Sequence, residues 1–398
     1  MGQRSLLCNS QALSAAGGDQ GSLDLEAAQR ACVRRTLSAL RAAVSCRCKA
    51  VERPREVRGR DASAEKLSNS DPELTLQGPS PAPLLPAAPV AVLFSGGVDS
   101  TLLAALAHEC LEPALPIDLV SICFDGGASP DRASALDALA ELADWAPARR
   151  WRLLLLDATL ADVDLHAPRL LRLLRPADTV MDLNIGAALW LAARARAPRL
   201  RAWDPESLGM LETAAEPGRC FESAAKVVLV GHGADEVFGG YGRHRTRFRE
   251  AGWQGLDEEL ELDLGRLWLR NLGRDDRLIA DHGREARHPF LDEDLLRVAR
   301  SSRLDELVDL RQGPGVGDKR VLRQCLVELG LPRAAARVKR AIQFGTRIGK
   351  HSNVRQFGGT RKANLASAGG VRLCDVPSAA TRGQGNADGE DVLAKLAS

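Results

Sequence analysis

Between residues 89 and 241 the chain alternates short apolar runs with stretches that repeat at helical spacing. Val90-Ala91-Val92-Leu93-Phe94 reads as a buried strand that stops at Ser95-Gly96-Gly97, with a helix-forming run starting at once. A second strand is predicted over residues 117–124, with Asp125-Gly126-Gly127 as its exit loop. A helix follows from Ser129, the expected N-cap, with Pro130 in its first turn, to about Trp145. Trp151–Leu156 and Lys226–Val230 complete a set of four expected strands, with a helix over 182–196 and a polar insertion over 199–223 between them. Such alternation implies an α/β fold, a parallel sheet covered on both faces, with ligands at the carboxyl ends of its strands. After Tyr241 no further strand is expected. Helical periodicity over 256–270, 275–282, 292–301 and 318–329 predicts a helical C-terminal half.

The flanks read differently. Residues 1–22 lack periodicity and are expected to be disordered. Residues 23–51 predict an amphipathic helix, with Ala27, Ala31, Val33, Leu37, Leu40 and Val44 at helical spacing. Residues 52–88 carry charges, Ser, Pro and Ala and read as a disordered linker, and residues 351–398 as a disordered tail. The expected catalytic domain is residues 89–350.

Composition narrows the function classes. A formal charge of +2 over 398 residues gives nucleic acid and anionic membranes no global electrostatic support. No apolar run reaches the length of a membrane span, and the first residues lack the pattern of a signal peptide. Nine scattered cysteines, an odd number, suggest free thiols and a cytoplasmic setting. Neither a C-x-x-C pair nor zinc-type spacing is present, which disfavours a tRNA-modifying enzyme.

Two loops carry candidate chemistry. In Ser95-Gly96-Gly97-Val98-Asp99-Ser100 the glycines let an anion approach the backbone, and the following helix adds its positive end. The alternative is an ordinary strand–turn–helix with Asp99 near a cap. Gly231-His232-Gly233-Ala234-Asp235-Glu236 after the fourth strand is similar, and Asp99 and Asp235 together form a pair that could hold one Mg²⁺ beside phosphate. Taken singly this loop also reads as a Gly-rich turn with an Asp N-cap.

Ser-Gly-Gly-Val-Asp-Ser resembles the pyrophosphate loop of the ATP pyrophosphatase superfamily. Gly231–Tyr241, Gly283–Asp292, Gly317–Arg323 and Lys339–Gly345 resemble, in order, blocks of the synthetase domain of the asparagine synthetase family. The resemblance implies an adenine nucleotide α-hydrolase-like (PP-loop) fold, with ATP and Mg²⁺ as cofactors and aspartate and ammonia as small-molecule substrates. No nucleic acid or membrane partner is implied. It places backbone groups of Leu93 and Phe124 at adenine, and Ser95, Gly96, Gly97, Asp99 and Ser100 at pyrophosphate. Asp99 and Asp235 would hold the metal, and Val230 and Gly231 would line the nucleotide. Lys339 would be the catalytic cation at the α-phosphate, as a substitute for the family lysine, whose own place is Ala341; on spacing alone it reads as a solvated lysine beside Arg337 and Arg340. His232 stands where the family has Glu, either as a proton acceptor or as a tolerated loop residue. The family's glutaminase block, which begins Met-Cys, has no counterpart in Met1-Gly2-Gln3, so glutamine hydrolysis is not expected. The resemblance thus leaves two readings, an ammonia-using ligase or a nucleotide-binding relic acting through protein partners.

Overall fold

The computed structural model describes residues 20–49, 87–357 and 370–375. The linker expected over 52–88 lies outside the described residues apart from its last two positions, as does most of the expected tail. Seven strands form one sheet: β1 (Val90–Leu93), β2 (Ile117–Cys123), β3 (Trp151–Asp157), β4 (Arg199–Asp204), β5 (Gly209–Ala214), β6 (Val227–Leu229) and β7 (Glu285–Arg287). Their order is β5-β4-β3-β2-β1-β6-β7. The strands from β3 to β7 along the sheet are parallel, and β4 and β5 add an antiparallel hairpin at one edge.

β1 and β2 are buried almost throughout, as near-continuous apolar runs predict for strands with both faces covered, with Asp118 and Ser121 of β2 buried as well. Helices α1 (Gln20–Lys49), α2 (Val98–Cys110) and α3 (Pro130–Trp145) pack on the face bearing Val90, Val92, Leu153 and Leu155. Helix α4 (Val180–Ala193) covers the opposite face, which bears Ala91, Val120, Leu154 and Val228. Ser129 caps α3 as expected, its hydroxyl accepting from Arg132 N at 3.3 Å with Pro130 in the first turn. α1 buries Cys32, Val33, Leu37, Leu40, Val44 and Cys48 in the same core as the sheet.

Three expectations need correction. The insertion over 199–223 contains the β4–β5 hairpin: β4 pairs with β3 and is at least partly buried throughout, and β5, whose residues 211–214 are exposed, forms the edge of the sheet. Strands do not cease at Tyr241, because β7 joins the sheet parallel to β6, with Val228 opposite Ala286. Three residues, two of them charged, are too short a run to announce themselves. The ordered chain also passes residue 350: a helix spans Ile348–Phe357, and Arg372 bridges back to Thr179.

The remaining elements that frame the site are α5 (Ala234–Phe238), α6 (Gly242–Leu267), α7 (Gly273–Ala280), α8 (Glu293–Ser301) and α9 (Arg320–Glu328). Between α6 and α7 a π-helical turn covers Trp268–Leu272. Among the described residues no helix is long and apolar enough to cross a membrane.

Candidate active site

β1 and β6 are hydrogen-bonded neighbours, with Val92 opposite Leu229, so the loops that leave their carboxyl ends sit side by side. From β1 the chain passes to β2 on one side and from β6 to β7 on the other, which makes the gap between β1 and β6 the crevice where open α/β sheets bind ligands. Gly96 has φ +70°, and a Cβ there would lie 2.2 Å from the Ser134 carbonyl oxygen of α3, so only glycine lets the loop pass. On the other loop a Cβ on Gly231 would come within 3.1 Å of the Asp99 Cβ. The two loops therefore touch at the carboxylates.

Asp99, in the first turn of α2, and Asp235, in α5, both reach one ammonium. Lys319 Nζ stands 2.6 Å from Asp99 Oδ2 and 2.6 Å from Asp235 Oδ1, while Lys339 Nζ pairs with Asp235 Oδ2. Lys319 is 1% exposed and sits at φ +51° just ahead of α9, its backbone N–H bonded to the Phe238 carbonyl. Burial alone pushes carboxyls up, but at Asp235 the two lysines overcome it and hold the group well below the usual carboxylate range. Asp99 keeps a raised pKa from burial, since Lys319 only partly offsets that cost and the Asp235 charge adds to it. Lys319 lies above its ordinary value: burial opposes its charge, but Asp235 and Asp99 favour it more.

A cavity of about 370 Å³ opens from this centre. Its apolar half is walled by Leu93, Val120, Ile122, Met181, Ile185 and Leu189, a slot suited to a flat heterocycle. Its polar half is lined by His232, Asp235, Glu236, Tyr241, Arg270, Arg274 and Lys339. A smaller recess of about 50 Å³ adjoins it between Ser95, Gly97 and Asp99 on one side and Lys319, Arg323, Arg337, Lys339 and Arg340 on the other. This recess is strongly cationic and meets the N-terminus of α2, the arrangement that receives phosphate.

Most of the expected residues converge here. Leu93, Ser95, Asp99, Ser100, Val230, Gly231, His232, Asp235 and Lys339 line the main cavity, and Gly97 lines the recess. Gly96 lies behind the loop, its carbonyl accepting from Arg337 Nη1 at 2.5 Å. Phe124 does not line the cavity; its backbone N–H donates to the Thr346 carbonyl at 2.9 Å, and Val120, Ser121 and Ile122 of β2 form the wall. The polar half also holds fixed partners for its own charges. Glu236 Oε1 accepts from Tyr241 Oη at 2.7 Å and from Asn271 Nδ2 at 3.3 Å.

The sequence reasoning missed Lys319 and Asp131. Lys319 stood in a recognised block, but a lysine ahead of an amphipathic helix reads as surface. Asp131 looked like a first-turn helix residue. It lines both cavities, and burial pushes its carboxyl up to about 7, although Arg340 and Lys339 pull it down. A Cβ on Gly345 would lie 2.1 Å from Asp131 Oδ2, so that glycine lets the chain close over the carboxyl.

The carboxylates fit a divalent cation. Asp99 Oδ1 is buried without a hydrogen-bond partner, and Asp235 approaches from the facing loop. Among the described residues no cluster of three or more His, Cys, Asp or Glu side chains is placed to hold a metal. Two carboxylates beside a phosphate recess suit Mg²⁺, which commonly takes one or two protein ligands and completes its shell with phosphate and water.

The family model described as asparagine synthase matches residues 84–198, 218–252 and 247–367. The chain is 40% identical over 300 residues to asparagine synthetase domain-containing protein 1 of Mus musculus, covering 66% of this chain and 46% of that protein. To the protein of the same name from Gallus gallus it is 39% identical over 307 residues, again 66% and 46%. A stretch of 80 residues is 49% identical to putative asparagine synthetase (glutamine-hydrolyzing) 1 of Methanocaldococcus jannaschii, covering 20% of this chain and 15% of that one. The chain thus spans about half the length of the domain-containing relatives it matches.

Proposed function

The chain belongs to the asparagine synthase family, and on that premise we propose that it is an ATP-dependent carbon–nitrogen ligase. It adenylates a carboxylate, in the first instance that of aspartate, and transfers the acyl group to ammonia, releasing AMP and pyrophosphate. The observation that supports this most strongly is the convergence of Asp99, Asp235, Lys319 and Lys339 beside an apolar slot and a cationic recess.

In this reading the slot between Leu93 and Ile185 takes the adenine. Ser95, Gly97 and the N-terminus of α2 seat the pyrophosphate, helped by Arg337 and Arg340 on the far wall. Asp99 and Asp235 would hold Mg²⁺, which when bound neutralises polyphosphate charge. Lys319, anchored by its own backbone and by both carboxylates, keeps the two loops in register. Lys339 faces the cavity and stabilises negative charge developing at the α-phosphate as the carboxylate attacks, a role in which a fixed cation in a dry site gains most. Arg270, on the π-helical turn, lines the polar half and is paired with no carboxylate among the described residues, so it is a free cation for a second acidic group on the substrate. The eight described cysteines are free thiols, which supports a cytoplasmic setting.

The test is pyrophosphate release with ATP, Mg²⁺ and ammonium against a panel of amino-acid carboxylates. Release that depends on one carboxylate and on ammonium is expected. Nucleotide binding without release for any carboxylate would overturn the ligase reading and leave a nucleotide-binding relic acting through protein partners.

A further inference from the structure

The polar half of the cavity holds an arrangement that the adenylation step does not use. His232 follows β6 and lines the cavity; its buried Nδ1 lies 3.1 Å from Asp275 Oδ2, and among the described residues neither atom has another polar partner, nor does an aligned hydrogen bond join them. Asp275, in the first turn of α7, is fully buried. Its other oxygen accepts from Arg274 Nε at 2.8 Å, and Arg274 Nη1 donates to Asp182 of α4 at 2.7 Å. The carboxylate is thus held from two helices. His288 stacks on the His232 ring, with centroids 5.9 Å and planes 25° apart. Burial and the adjacent His232 push His288 down to about 4, so it supplies a flat neutral wall.

We propose that His232 and Asp275 form a proton-accepting dyad for the transfer step, in which Asp275 is the positioning residue that holds the proton on Nδ1 and leaves the Nε2 lone pair facing the acyl group. This deepens the ligase reading and rests on it. An unpartnered imidazole samples both tautomers, whereas a carboxylate beside one nitrogen selects the tautomer that presents a lone pair on the other. The step balances as follows. Ammonia nitrogen bonds to the acyl carbon, one of its protons moves to His232 Nε2, and the bond from that carbon to the phosphate oxygen breaks. AMP leaves with the electron pair, and Asp275 stabilises the imidazolium. The dyad accounts for an imidazole standing where the related enzymes are expected to carry a carboxylate: Asp275 supplies the negative charge from behind the ring.

Two measurements test the proposal independently. Long-range ¹H–¹⁵N correlation on histidine-labelled protein, with His232 assigned by its loss in His232→Gln, reads the tautomer directly. The Nδ1–H form is expected in the wild type, with a shift toward the other form in Asp275→Asn. An Nε2–H form in the wild type overturns the dyad whatever the activity. The second measurement compares carboxylate-dependent ATP–pyrophosphate exchange, which reports adenylation, with amide formation, which reports the whole reaction. Asp275→Asn should lower the ratio of amide formation to exchange by about 10²-fold, the lower end of general-base effects, and Asp275→Glu should recover part of it. Equal loss of both activities would mark Asp275 as merely structural and overturn the proposal. Absence of exchange in a wild-type protein that shows the Nδ1–H form would instead sink the ligase reading, and the transfer role with it.

Discussion

Gly240→Ala is the sharpest probe of the two-loop centre. Gly240 is not in the left-handed region, so the substitution introduces no backbone strain and acts by volume alone. Its new Cβ would stand 1.9 Å from Asp235 Oδ1 and 2.4 Å from Lys319 Cε, where real Cβ contacts essentially never fall below 3.0 Å. Neither neighbour can yield freely. Asp235 is held by Lys319 and Lys339, and Lys319 is buried and tied to Asp99. The carboxylate therefore has to retreat by about 1 Å, a misplacement of the size that costs a reaction about 10²-fold. Overpacking of this kind also costs about 1–3 kcal/mol of stability. Gly242→Ala is the matched control, since nothing lies within 4 Å of its added Cβ. Pyrophosphate release and urea unfolding of both variants should show a large loss at 240 and little change at 242. A Gly240→Ala protein with wild-type turnover would refute the claim that Asp235 and Lys319 are locked together at the reacting centre.

Other expectations follow from the same geometry. Asp99→Ala and Asp235→Ala should each weaken Mg·ATP binding, and by calorimetry the double variant should lose less than the two single losses combined, because both carboxylates serve one ion. Lys319→Met should destabilise the fold by about 3–5 kcal/mol in chemical denaturation, since it leaves Asp99 and Asp235 buried with a single lysine. Asp131 gives a pH signature of opposite sign to that of a paired carboxylate. Its folded pKa, about 7, lies above the ordinary value of 3.8, so the folded state binds the extra proton and stability falls as pH rises from about 4 to about 7. Asp131→Asn should therefore raise the urea midpoint at pH 8 and change it little at pH 4. Asp235 works the other way: its folded pKa is depressed, so its contribution is present above the ordinary carboxylate range and is lost as pH falls through and below it.

The parallel core was legible because strands buried on both faces read as near-continuous apolar runs, which β1 is, and which β2 and β3 are apart from Ser121, the buried Asp118–Arg152 pair and the terminal Asp157. The glycine loops were legible too, although for a different reason than the one the sequence suggested: Gly96 is required by the close passage of the α3 backbone at Ser134, and Gly231 by the approach of Asp99. What escaped reading depends on partners distant in sequence. Lys319 is ordinary until Asp99 and Asp235, from two other loops, close on it. Asp275 gains meaning only from His232, and β7 is a strand only because β6 offers it an edge.

α1 lies wholly ahead of the stretch matched by the family model, which begins at residue 84, yet Cys32, Leu40 and Val44 are completely buried in the common core. A fragment cut at the family boundary would therefore lose one wall of its own interior and present the apolar flanks of α2, α8 and α9 to water. The same separation offers a split protein. Tethering mainly sets the effective concentration at which α1 finds its groove, so a free peptide of residues 20–49 at sufficient concentration should dock in its place. The core would then be assembled from two chains, with its assembly under the control of peptide dose.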